Sequence, residues 1–391
     1  MSKKFVTIFP ICENVHLTKD LGQIPYFLHK KHGYDSTMVT YKNNSHYDNI
    51  NSEVKGLKID FIEDTGRFSF LEKGVLKYIY KNAKQIDVIN LYLYSKFTFA
   101  YGILYKILNP KGCLYIKLDG YNETFDKKKI EHSTNKIKNY GLKLLEAIFL
   151  KKVDLMSMEN SEGTKLVQQM FPSIADKIIY LPVGVNDVFL EEAFKNKHIT
   201  YSDKENIILS VGRVGEEIKN HEMIIRALTQ TNMKNWKMVF VGPVNDNFKI
   251  YFDKLSTAFP SLKESVIFTG NISSRIELYE WYNRAKVFCM TSHKESFCHA
   301  ISEALYFGNY IIGTDGIMSI KDITDSGKYG ITLKDDDDTA LANTFQSLID
   351  NQTSIKELYM QRIGHSHKYF IWSEIINKLN NQINKINASH D

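Results

Sequence analysis

Charged residues stand at two points in the C-terminal half of the sequence where an apolar run ends and a helical pattern begins. Arg213 and Lys219 follow one such run, and Glu295 and Glu303 follow another. Arg offers a planar fork of donors and Lys a point charge, which is the pair expected to hold a diphosphate. Two carboxylates, one before a helix and one on it, can accept hydrogen bonds from hydroxyl groups on either side of that diphosphate.

The stretch between the two carboxylates predicts the start of a helix. Ser296 is the predicted N-cap, so the backbone N–H groups of Phe297, Cys298 and His299 would offer partial positive charge to an anion. A simpler interpretation stays open for both groups. The two cations would then be solvated surface residues, and the carboxylates would be a helix-favouring residue and an exposed glutamate.

The elements that must position these residues follow a regular alternation. Short apolar runs of strand length alternate with helical-period segments almost throughout, which predicts an α/β fold with parallel sheets covered on both faces. The pattern restarts after Pro182–Asn186. We therefore predict two tandem Rossmann-like domains facing across a cleft. They are 1–185, completed by a C-terminal helix at 370–391 that crosses back to it, and 186–369.

The glycine pattern disfavours a nicotinamide cofactor. A dinucleotide site requires Gly-x-Gly-x-x-Gly directly after a strand. The first strand is followed by Pro10–Asn14, which contains no glycine, and Gly212–Gly215 lacks the third glycine.

Composition places the protein among ordinary globular chains. Of its 391 residues, 43% are hydrophobic and 24% are charged, and the four cysteines are scattered without paired spacing. No apolar stretch is long enough for a membrane span, and the N-terminus lacks the features of a signal peptide. We expect a cytoplasmic protein.

The net charge of +5 is concentrated in one segment. Residues 127–152 contain eight Lys and two Glu, and Ile137, Leu144, Leu145 and Ile148 share one helical face there. This pattern is typical of a helix lying on an anionic membrane, here the inner face. Packing of the same face on the first sheet is the alternative. Nucleic acid is disfavoured because the first half of the chain has a single arginine, Arg67.

The acidic run Asp335–Asp338 precedes a helical pattern at 339–349. Four consecutive carboxylates cannot all face one ion, so we predict favourable charge at a helix N-terminus and no metal site.

Several of these motifs, taken in order, resemble one family. Gly212-Arg213 with Lys219-Asn220, then Phe268–Asn271, then Glu295-x7-Glu303-Ala304 and Gly308 look like the C-terminal half of GT-B glycosyltransferases of family 4, across about 205–335. The segment Tyr180–Asn186 resembles the inter-domain segment of that family. The helix near Trp372 is similar to the one that returns to the N-terminal domain.

The resemblance implies roles for individual residues. Arg213, after Gly212, and Lys219 would neutralise the donor diphosphate, Glu295 would contact the donor sugar, and Glu303 would hold the ribose. The backbone around Gly270-Asn271-Ile272 would hold the base, with N–H groups of Ser296-Phe297-Cys298 near the sugar. Cations and a helix N-terminus would replace a metal, so the resemblance implies a retaining enzyme that needs no metal or cofactor.

Three departures concern the sugar and the acceptor. Ser296-Phe297-Cys298 stands where the family usually has Gly-Phe-Gly. The usual glycine pair after the first strand is replaced by a polar loop, in which Asn14, His16 and Lys19 are candidates. Asp119 stands where a histidine is common and would orient the acceptor hydroxyl. Surface positions for His16 and Lys19, and an Asx turn at Asp119, are the alternatives.

These observations predict a retaining glycosyltransferase that takes a sugar from a nucleotide diphosphate donor, with UDP favoured over GDP. Glu295, Asp119, Arg213 and Lys219 would carry the catalysis. The acceptor would be a glycan or a lipid-linked saccharide, in bacterial cell-surface polysaccharide or glycoconjugate synthesis. A degenerate GT-B subunit that steers another transferase is the alternative, but such a subunit would be expected to lose the cations or the paired glutamates.

Overall fold

The computed structural model describes residues 2–120, 136–195 and 199–390. The chain divides into two compact units, Met1–Asn186 with Trp372–Asp391, and Asp187–Ile371. The last helix of the sequence therefore belongs to the first unit.

The first unit is built on a parallel sheet that has seven strands among the described residues, in the order β3-β2-β1-β4-β5-β6-β7. The strands are β1 Lys4–Ile8, β2 Asp35–Thr40, β3 Lys58–Phe61, β4 Val88–Tyr92, β5 Cys113–Lys117, β6 Leu155–Met158 and β7 Ile178–Tyr180. Every residue of β4 and β5 is buried, as expected for central strands covered by helices on both faces.

The helices of this unit connect successive strands. They are α1 Asp20–His32, α2 Asn49–Ser52, α3 Lys73–Asn82, α4 Lys96–Leu108, α5 Lys136–Lys152, α6 Ser161–Met170 and, at the end of the chain, α17 Trp372–His390. Three-residue to six-residue 3-10 helices lie at Asn14–Thr18, Ala83–Gln85 and Pro172–Lys177. A small hairpin pairs Arg67–Phe68 with Leu71–Glu72.

The second unit repeats the architecture with a parallel sheet of six strands in the described residues, ordered β10-β9-β8-β11-β12-β13. Its strands are β8 Glu205–Val211, β9 Lys237–Val241, β10 Val266–Gly270, β11 Ala285–Met290, β12 Tyr310–Thr314 and β13 Gly330–Leu333. Because β8 lies between β9 and β11, the strand order reverses direction at β8. Ligands of doubly wound sheets bind at such a reversal, outside the carboxyl ends of the strands.

The helices of the second unit pack on both faces of its sheet. They are α7 Asp187–Ala193, α8 His221–Leu228, α9 Asp246–Ala258, α10 Ser261–Ser265, α11 Arg275–Arg284, α12 His299–Tyr306, α13 Ile320–Ile323, α14 Asp338–Asp350, α15 Thr353–Glu357 and α16 Tyr359–Tyr369. Short 3-10 helices occur at Tyr201–Asp203 and Glu217–Lys219.

The predicted α/β class with two parallel sheets is confirmed, and so is the return of the last helix to the first unit. Two parts of the fold were absent from the sequence prediction. The hairpin at 67–72 has strands too short to show a period. The edge strand β13 begins at a glycine and is only four residues long, so its pattern is equally typical of a loop.

The closing helix α17 packs on α1. Trp372, Ile375, Ile376, Leu379 and Ile383 are buried on the contact face. The backbone N–H of Trp372 donates to the carbonyl of Val185 at 3.0 Å, and Tyr34 donates to Asn380 at 3.0 Å. The helix thus covers an apolar surface of the first unit that would otherwise be exposed.

The basic segment predicted at 127–152 is described in part, because 121–135 lies outside the described residues. Helix α5 forms the described part of the segment, Lys136–Lys152, but its predicted apolar face is divided. Leu145 packs toward the core beside the buried Phe149, whereas Leu144 and Ile148 are exposed with Tyr140. Nothing is described for the side chain of Ile137. The expectation of one continuous face, either buried or exposed, was therefore wrong.

No helix among the described residues is long and apolar enough to cross a membrane. The four cysteines, Cys12, Cys113, Cys289 and Cys298, are buried free thiols.

Candidate functional site

Lys219 lies on a short 3-10 turn at the carboxyl end of β8. The ammonium group of Lys219 forms an ion pair with Glu295, and both side chains are mostly buried, at 16% and 19% exposed. The two residues are 76 positions apart in the sequence, so the structure brings together two predicted members of the site. An added Cβ at Gly212 would lie 3.9 Å from Lys219 Cε, which means that the lysine stem runs over Gly212.

The turn that carries Lys219 is held by a glycine and a histidine. Gly215 has φ +81°, and a Cβ there would lie 2.3 Å from the Cβ of Phe248, so only glycine fits. The backbone N–H of Gly215 donates to Nδ1 of His221 at 3.2 Å. Burial, and then the nearby Lys219, lowers the pKa of His221 to about 3, so the imidazole stays neutral and keeps an acceptor at Nδ1. Sequence reasoning missed His221, although its place at the first position of α8 was visible.

Glu295 lies on the loop after β11, and this loop is bonded to the Lys219 turn. The hydroxyl of Thr291 donates to the carbonyls of Asn220 at 2.8 Å and Lys219 at 3.2 Å. The backbone N–H of Glu295 donates to Gly316 at 3.0 Å, and Ser292 donates to the Glu295 carboxylate at 3.2 Å. The carboxylate is therefore fixed by bonds from both its backbone and its side chain.

Arg213 does not join this ion pair. The guanidinium bonds Glu216 at 2.7 Å, one turn further along, and its side chain is 69% exposed. An exposed arginine on a short local pair costs little to reorient, so it remains available to an incoming anion. Of the four predicted charges, Lys219 and Glu295 thus form a mostly buried pair, Arg213 is exposed, and Glu303 lies apart from them on α12.

Helix α12 begins at His299, two residues after the predicted start. Its N-cap is Cys298, which makes no side-chain cap bond, so the prediction of Ser296 as N-cap was wrong. Phe297 and Cys298 are buried, at 6% and 4% exposed, and the backbone of Cys298 is extended (φ −96°, ψ 101°), so the helical conformation begins only at His299. The first N–H groups of α12 lack intrahelical acceptors, which makes this helix end suitable for an anion.

Glu303 lies one turn into α12 and is held by three donors from α11. Its Oε1 accepts from Arg275 at 3.1 Å and from Tyr279 at 3.2 Å, and its Oε2 accepts from Tyr282 at 3.0 Å. The side chain is 12% exposed, which contradicts the alternative of a solvated glutamate. The three donors were not singled out from the sequence, though their i, i+4 and i, i+7 spacing marks one helical face.

The predicted base-binding backbone follows β10. Gly270 has φ +74°. Its carbonyl already accepts from the N–H of Gly242 at 3.0 Å and from the hydroxyl of Thr269 at 3.0 Å. The peptide groups of Asn271 and Ile272 are the more accessible part of the segment, since Asn271 is exposed and Ile272 half-buried.

The acidic run beyond β13 divides into two functions. Asp337 accepts from the N–H of Ala340 at 2.9 Å, so it caps α14 as predicted from its place before a helix. Asp335 bonds His293 at 2.6 Å, and Asp336 accepts from Asn220 at 2.9 Å and from Arg226. His293, Asp335 and Asp336 bring potential ligand atoms within 4.8 Å of one another, but each of them already has a hydrogen-bond partner in the protein.

An open pocket of about 840 Å³ lies beside the same turn, between the N-terminal ends of α8 and α9. Three of its lining residues are Glu216, Glu217 and Glu222. These carboxylates outnumber the single lysine of the lining, Lys294, so a diphosphate is better placed at Lys219 and α12 than in this pocket.

The candidates of the first unit lie in the loop after β1. Asn14 is engaged on all sides: its side chain accepts from the N–H of Asn49 at 3.0 Å, and its own N–H donates to Asn44 at 2.6 Å. His16 Nδ1 accepts from the N–H of Glu13 at 2.8 Å, so Nε2 carries the proton of the neutral ring. Burial, and then nearby Lys19, lowers the pKa of His16. Lys19 is exposed.

Asp119 is exposed two residues beyond the end of β5, and a buried lysine stands beside it. Lys117 is fully buried and lies 3.4 Å from Asp20 and 3.5 Å from Glu159. Burial alone would lower the pKa of Lys117, but Asp20 and Glu159 raise it above the usual value of a lysine. Sequence reasoning missed this cluster, although a lysine in the apolar run Cys113–Leu118 is a signal of a buried pair.

The matched family model covers the site of the second unit. Residues 191–365 match the family described as glycosyl transferases group 1. That range includes the Lys219 turn, Glu295 and Glu303.

Solved structures resemble the entire chain. The structure of Anabaena HepE in complex with UDP has a TM-score of 0.70 at 13% identity, covering 98% of this chain and 100% of that one. Sucrose-phosphate synthase from Thermosynechococcus elongatus has a TM-score of 0.69 at 15% identity, covering 99% and 100%. The chain therefore has the GT-B fold of glycosyltransferases, and the segment that matches glycosyl transferases group 1 lies in its second unit.

One curated relative is more similar in sequence over a shorter range. It is the GalNAc-alpha-(1->4)-GalNAc-alpha-(1->3)-diNAcBac-PP-undecaprenol alpha-1,4-N-acetyl-D-galactosaminyltransferase of Campylobacter jejuni, 28% identical over 159 residues. The match covers 40% of this chain and 42% of that relative, so it spans less than half the length of either.

Proposed function

We propose that this protein is a retaining glycosyltransferase that moves a sugar from a UDP-sugar to a glycan or lipid-linked acceptor. The observation that carries the proposal is the convergence of Lys219, Glu295 and the N-terminal end of α12 at the carboxyl edge of one sheet. It lies within the group 1 domain. A biological role in bacterial cell-surface polysaccharide or glycoconjugate synthesis is part of the proposal, as the Campylobacter jejuni relative acts on an undecaprenol-linked saccharide.

The donor would be bound by charge without a metal. Lys219 and Arg213 would neutralise the diphosphate, and the first N–H groups of α12 would add partial positive charge. Because Glu295 pairs with Lys219 in this structure, a donor diphosphate must share or replace that contact. Glu295 would then be released to accept hydrogen bonds from the hydroxyls of the donor sugar.

Uracil is our proposed base, and two observations support it. The HepE structure that resembles this chain contains UDP. The peptide groups of Asn271 and Ile272 offer a short backbone edge that suits the single hydrogen-bonding edge of uracil. Glu303 would hold the ribose.

The acceptor would bind to the first unit, with Asp119 orienting the attacking hydroxyl. In the front-face exchange implied by the family resemblance, the hydroxyl oxygen bonds to the anomeric carbon as the bond to the leaving phosphate breaks. The leaving phosphate takes the hydroxyl proton, and the anomeric configuration is retained. No protein nucleophile takes part in this scheme.

A lipid-linked acceptor fits the exposed face of α5. Tyr140, Leu144 and Ile148 are exposed at 73%, 53% and 38%, and lysines flank them at Lys143 and Lys151. An apolar stripe bordered by lysines is typical of a helix on an anionic membrane surface. We include peripheral membrane association in the proposal.

The experiment that tests the proposal begins with donor binding. Calorimetry with UDP and GDP should show heat of binding for UDP, and Lys219→Ala should weaken it. Lys294→Ala is the matched control, since Lys294 is an exposed lysine on the same loop as Glu295. If the wild-type protein bound neither UDP nor GDP, the proposed function would be overturned.

Turnover is measured next, with UDP-GalNAc and UDP-glucose as donors and short saccharides or their lipid-linked forms as acceptors. The proton coupling at the anomeric carbon of the product should show retention. EDTA should leave the rate unchanged. Tight UDP binding with no transfer to any acceptor in this set would instead favour the degenerate partner subunit.

A further inference from the structure

A group of phenylalanine rings lies where the hairpin at 67–72 contacts the start of α4. Phe68 is 69% exposed beside the hairpin turn, and Phe97 is 37% exposed in the first turn of α4. Phe70 is half-buried and meets Phe97 edge to face, with the ring centroids 5.7 Å apart. The ammonium group of Lys96 lies over both of these rings, 5.2 Å from the centroid of Phe70 and 5.4 Å from that of Phe97. Phe68, Phe70, Lys96 and Phe97 together form the hairpin cluster.

The backbone around the hairpin cluster is fixed by hydrogen bonds. The N–H of Glu72 donates to the hydroxyl of Tyr101 on α4 at 2.9 Å, which joins the hairpin to that helix. Ser95 caps α4 by accepting from the N–H of Thr98 at 3.3 Å. Ser69, in the hairpin turn, has φ +57°, a left-handed conformation that is uncommon for a residue other than glycine. The exposed rings are therefore held in place from the hairpin side and from the helix side.

The hairpin cluster lies at the carboxyl end of β4. The connection from β4 to α4 consists of Leu93–Ser95 alone. Leu93 donates its N–H to the carbonyl of Lys117, the last residue of β5, at 3.0 Å. Asp119, which the proposed function assigns to the acceptor hydroxyl, follows two residues later. The cluster is thus on the edge of the first sheet where the acceptor is proposed to bind.

The chemistry of the hairpin cluster favours a ligand that has both an apolar chain and an anionic group. Phenylalanine rings carry no hydrogen-bonding groups, so they contact an alkyl chain more favourably than the hydroxyl groups of a saccharide. Among the described residues, no carboxylate pairs with Lys96. Lys96 is also the first residue of α4, where the helix dipole adds positive charge. An exposed apolar patch beside such a cation complements a lipid chain that ends in phosphate.

We infer that the hairpin cluster binds the lipid phosphate part of a lipid-linked acceptor, with the phenylalanine rings on the lipid chain and Lys96 on the phosphate. The inference rests on the proposed function, and it assigns a binding surface to the lipid of the proposed acceptor. It differs from membrane association through α5, because the hairpin cluster binds one lipid molecule and not the surface of a bilayer.

Calorimetry with geranyl diphosphate tests the inference, and inorganic pyrophosphate supplies the same anionic group without a chain. The protein is first saturated with UDP, so that the proposed donor diphosphate site is occupied. The wild-type protein should then bind geranyl diphosphate at least tenfold more tightly than pyrophosphate, because burial of about two CH₂ groups of the chain already gives this ratio.

Variants of the hairpin cluster locate the binding surface. Phe68→Ser, Phe97→Ser and Lys96→Gln should each weaken geranyl diphosphate binding by about threefold to tenfold. Phe68 is mostly exposed, so its replacement leaves the core of the first unit intact. Phe259→Ser and Lys249→Gln are the matched controls, since Phe259 is 41% exposed and Lys249 is exposed, both in the second unit. The controls should bind geranyl diphosphate as the wild type does, and melting temperatures show whether each variant is folded.

Three results would overturn the inference while leaving the proposed function intact. The first is a UDP-saturated protein that does not bind geranyl diphosphate, or binds it no more tightly than pyrophosphate. The second is unchanged geranyl diphosphate binding in all three cluster variants. The third is loss of that binding when Tyr140, Leu144 and Ile148 are replaced with Ser, which would place the lipid on α5. Absence of UDP binding in the saturation step would instead overturn the proposed function.

Discussion

At the scale of single residues, both cations of the proposed donor site are paired with carboxylates. Lys219 is neutralised by Glu295, and Arg213 by Glu216. The first pair is mostly buried and the second is exposed. A diphosphate that replaced the carboxylate in each pair would therefore form contacts of different strength. The buried lysine contributes the stronger contact because solvent screens it less.

Lys219→Ala should therefore weaken UDP binding by about 1.5–3 kcal/mol, the usual contribution of a hydrogen bond to a charged group. Arg213→Ala should have a smaller effect, because the 69% exposed guanidinium gives up a solvated position to bind. Calorimetry at two salt concentrations measures both. A larger loss for Arg213 than for Lys219 would contradict this ranking.

Substitution of Glu295 and of Glu303 should have different effects on the kinetics. Glu303→Ala should raise the Kd for UDP, because the proposed function assigns this carboxylate to the ribose. Glu295→Ala should leave UDP binding unchanged or tighter, since it frees Lys219, and should reduce kcat by about tenfold or more. Steady-state kinetics with calorimetry distinguishes the two. If both variants lost only UDP affinity, the role given to Glu295 would be wrong.

At the scale of elements, a neutral buried histidine makes the stability of the turn that carries Lys219 depend on pH. His221 accepts a bond from the N–H of Gly215, and its pKa in the folded protein is about 3, compared with 6.5 for an unperturbed histidine. Below pH 6.5 the unfolded chain therefore binds a proton at His221, whereas the folded chain does not. Stability from this group is complete above pH 6.5 and is lost as the pH falls toward 3.

The expected loss is about 1.4 kcal/mol per pH unit within that window. Urea unfolding of the second unit at several pH values measures the slope. His221→Gln keeps an acceptor at this position without a titrating group, so its slope should be smaller by that amount. Equal slopes in the two proteins would place the titration elsewhere.

A buried ion cluster lies at the carboxyl ends of β5 and β6 in the first sheet. Lys117 is enclosed with Asp20 and Glu159, and it joins the end of β5 to the starts of α1 and the loop after β6. Lys117→Met leaves two buried carboxylates without their cation, which should destabilise the first unit by about 3 kcal/mol. Thermal unfolding measures the loss. Lys58→Met, which breaks an exposed pair with Asp35, should leave the melting temperature nearly unchanged.

At the scale of the whole molecule, we predict that the protein associates with anionic membranes through α5. Wild-type protein should co-sediment with anionic vesicles at low salt. Replacing Tyr140, Leu144 and Ile148 with Ser should weaken that binding, because their exposed apolar surface no longer enters the headgroup region. The control for charge alone is to reverse three other exposed lysines to Glu: Lys77 and Lys81 on α3, and Lys84 on the 3-10 helix that follows it. Wild-type protein that stays in the supernatant would contradict the prediction.

The two parallel sheets and most helices could be predicted because strand and helix periods are local properties of the sequence. Lys219 and Glu295 could be named for the same reason, as each follows an apolar run. Their ion pair could not, since it joins residues 76 positions apart through two loops. The three donors on Glu303, the buried Lys117 cluster and the division of the α5 face all depend on which helix lies beside which. The periodicity of the sequence does not indicate which helices are neighbours.

Helix α17 has a consequence for how the protein is made. The residues that complete the first unit leave the ribosome only after all of Asp187–Ile371 has been synthesised. At about 5–20 residues per second, that delay is roughly 10 to 40 s. During it, the face of α1 that α17 will cover, including Phe27, is exposed on the nascent chain. The first unit therefore cannot be completed until the whole of the second unit has been synthesised.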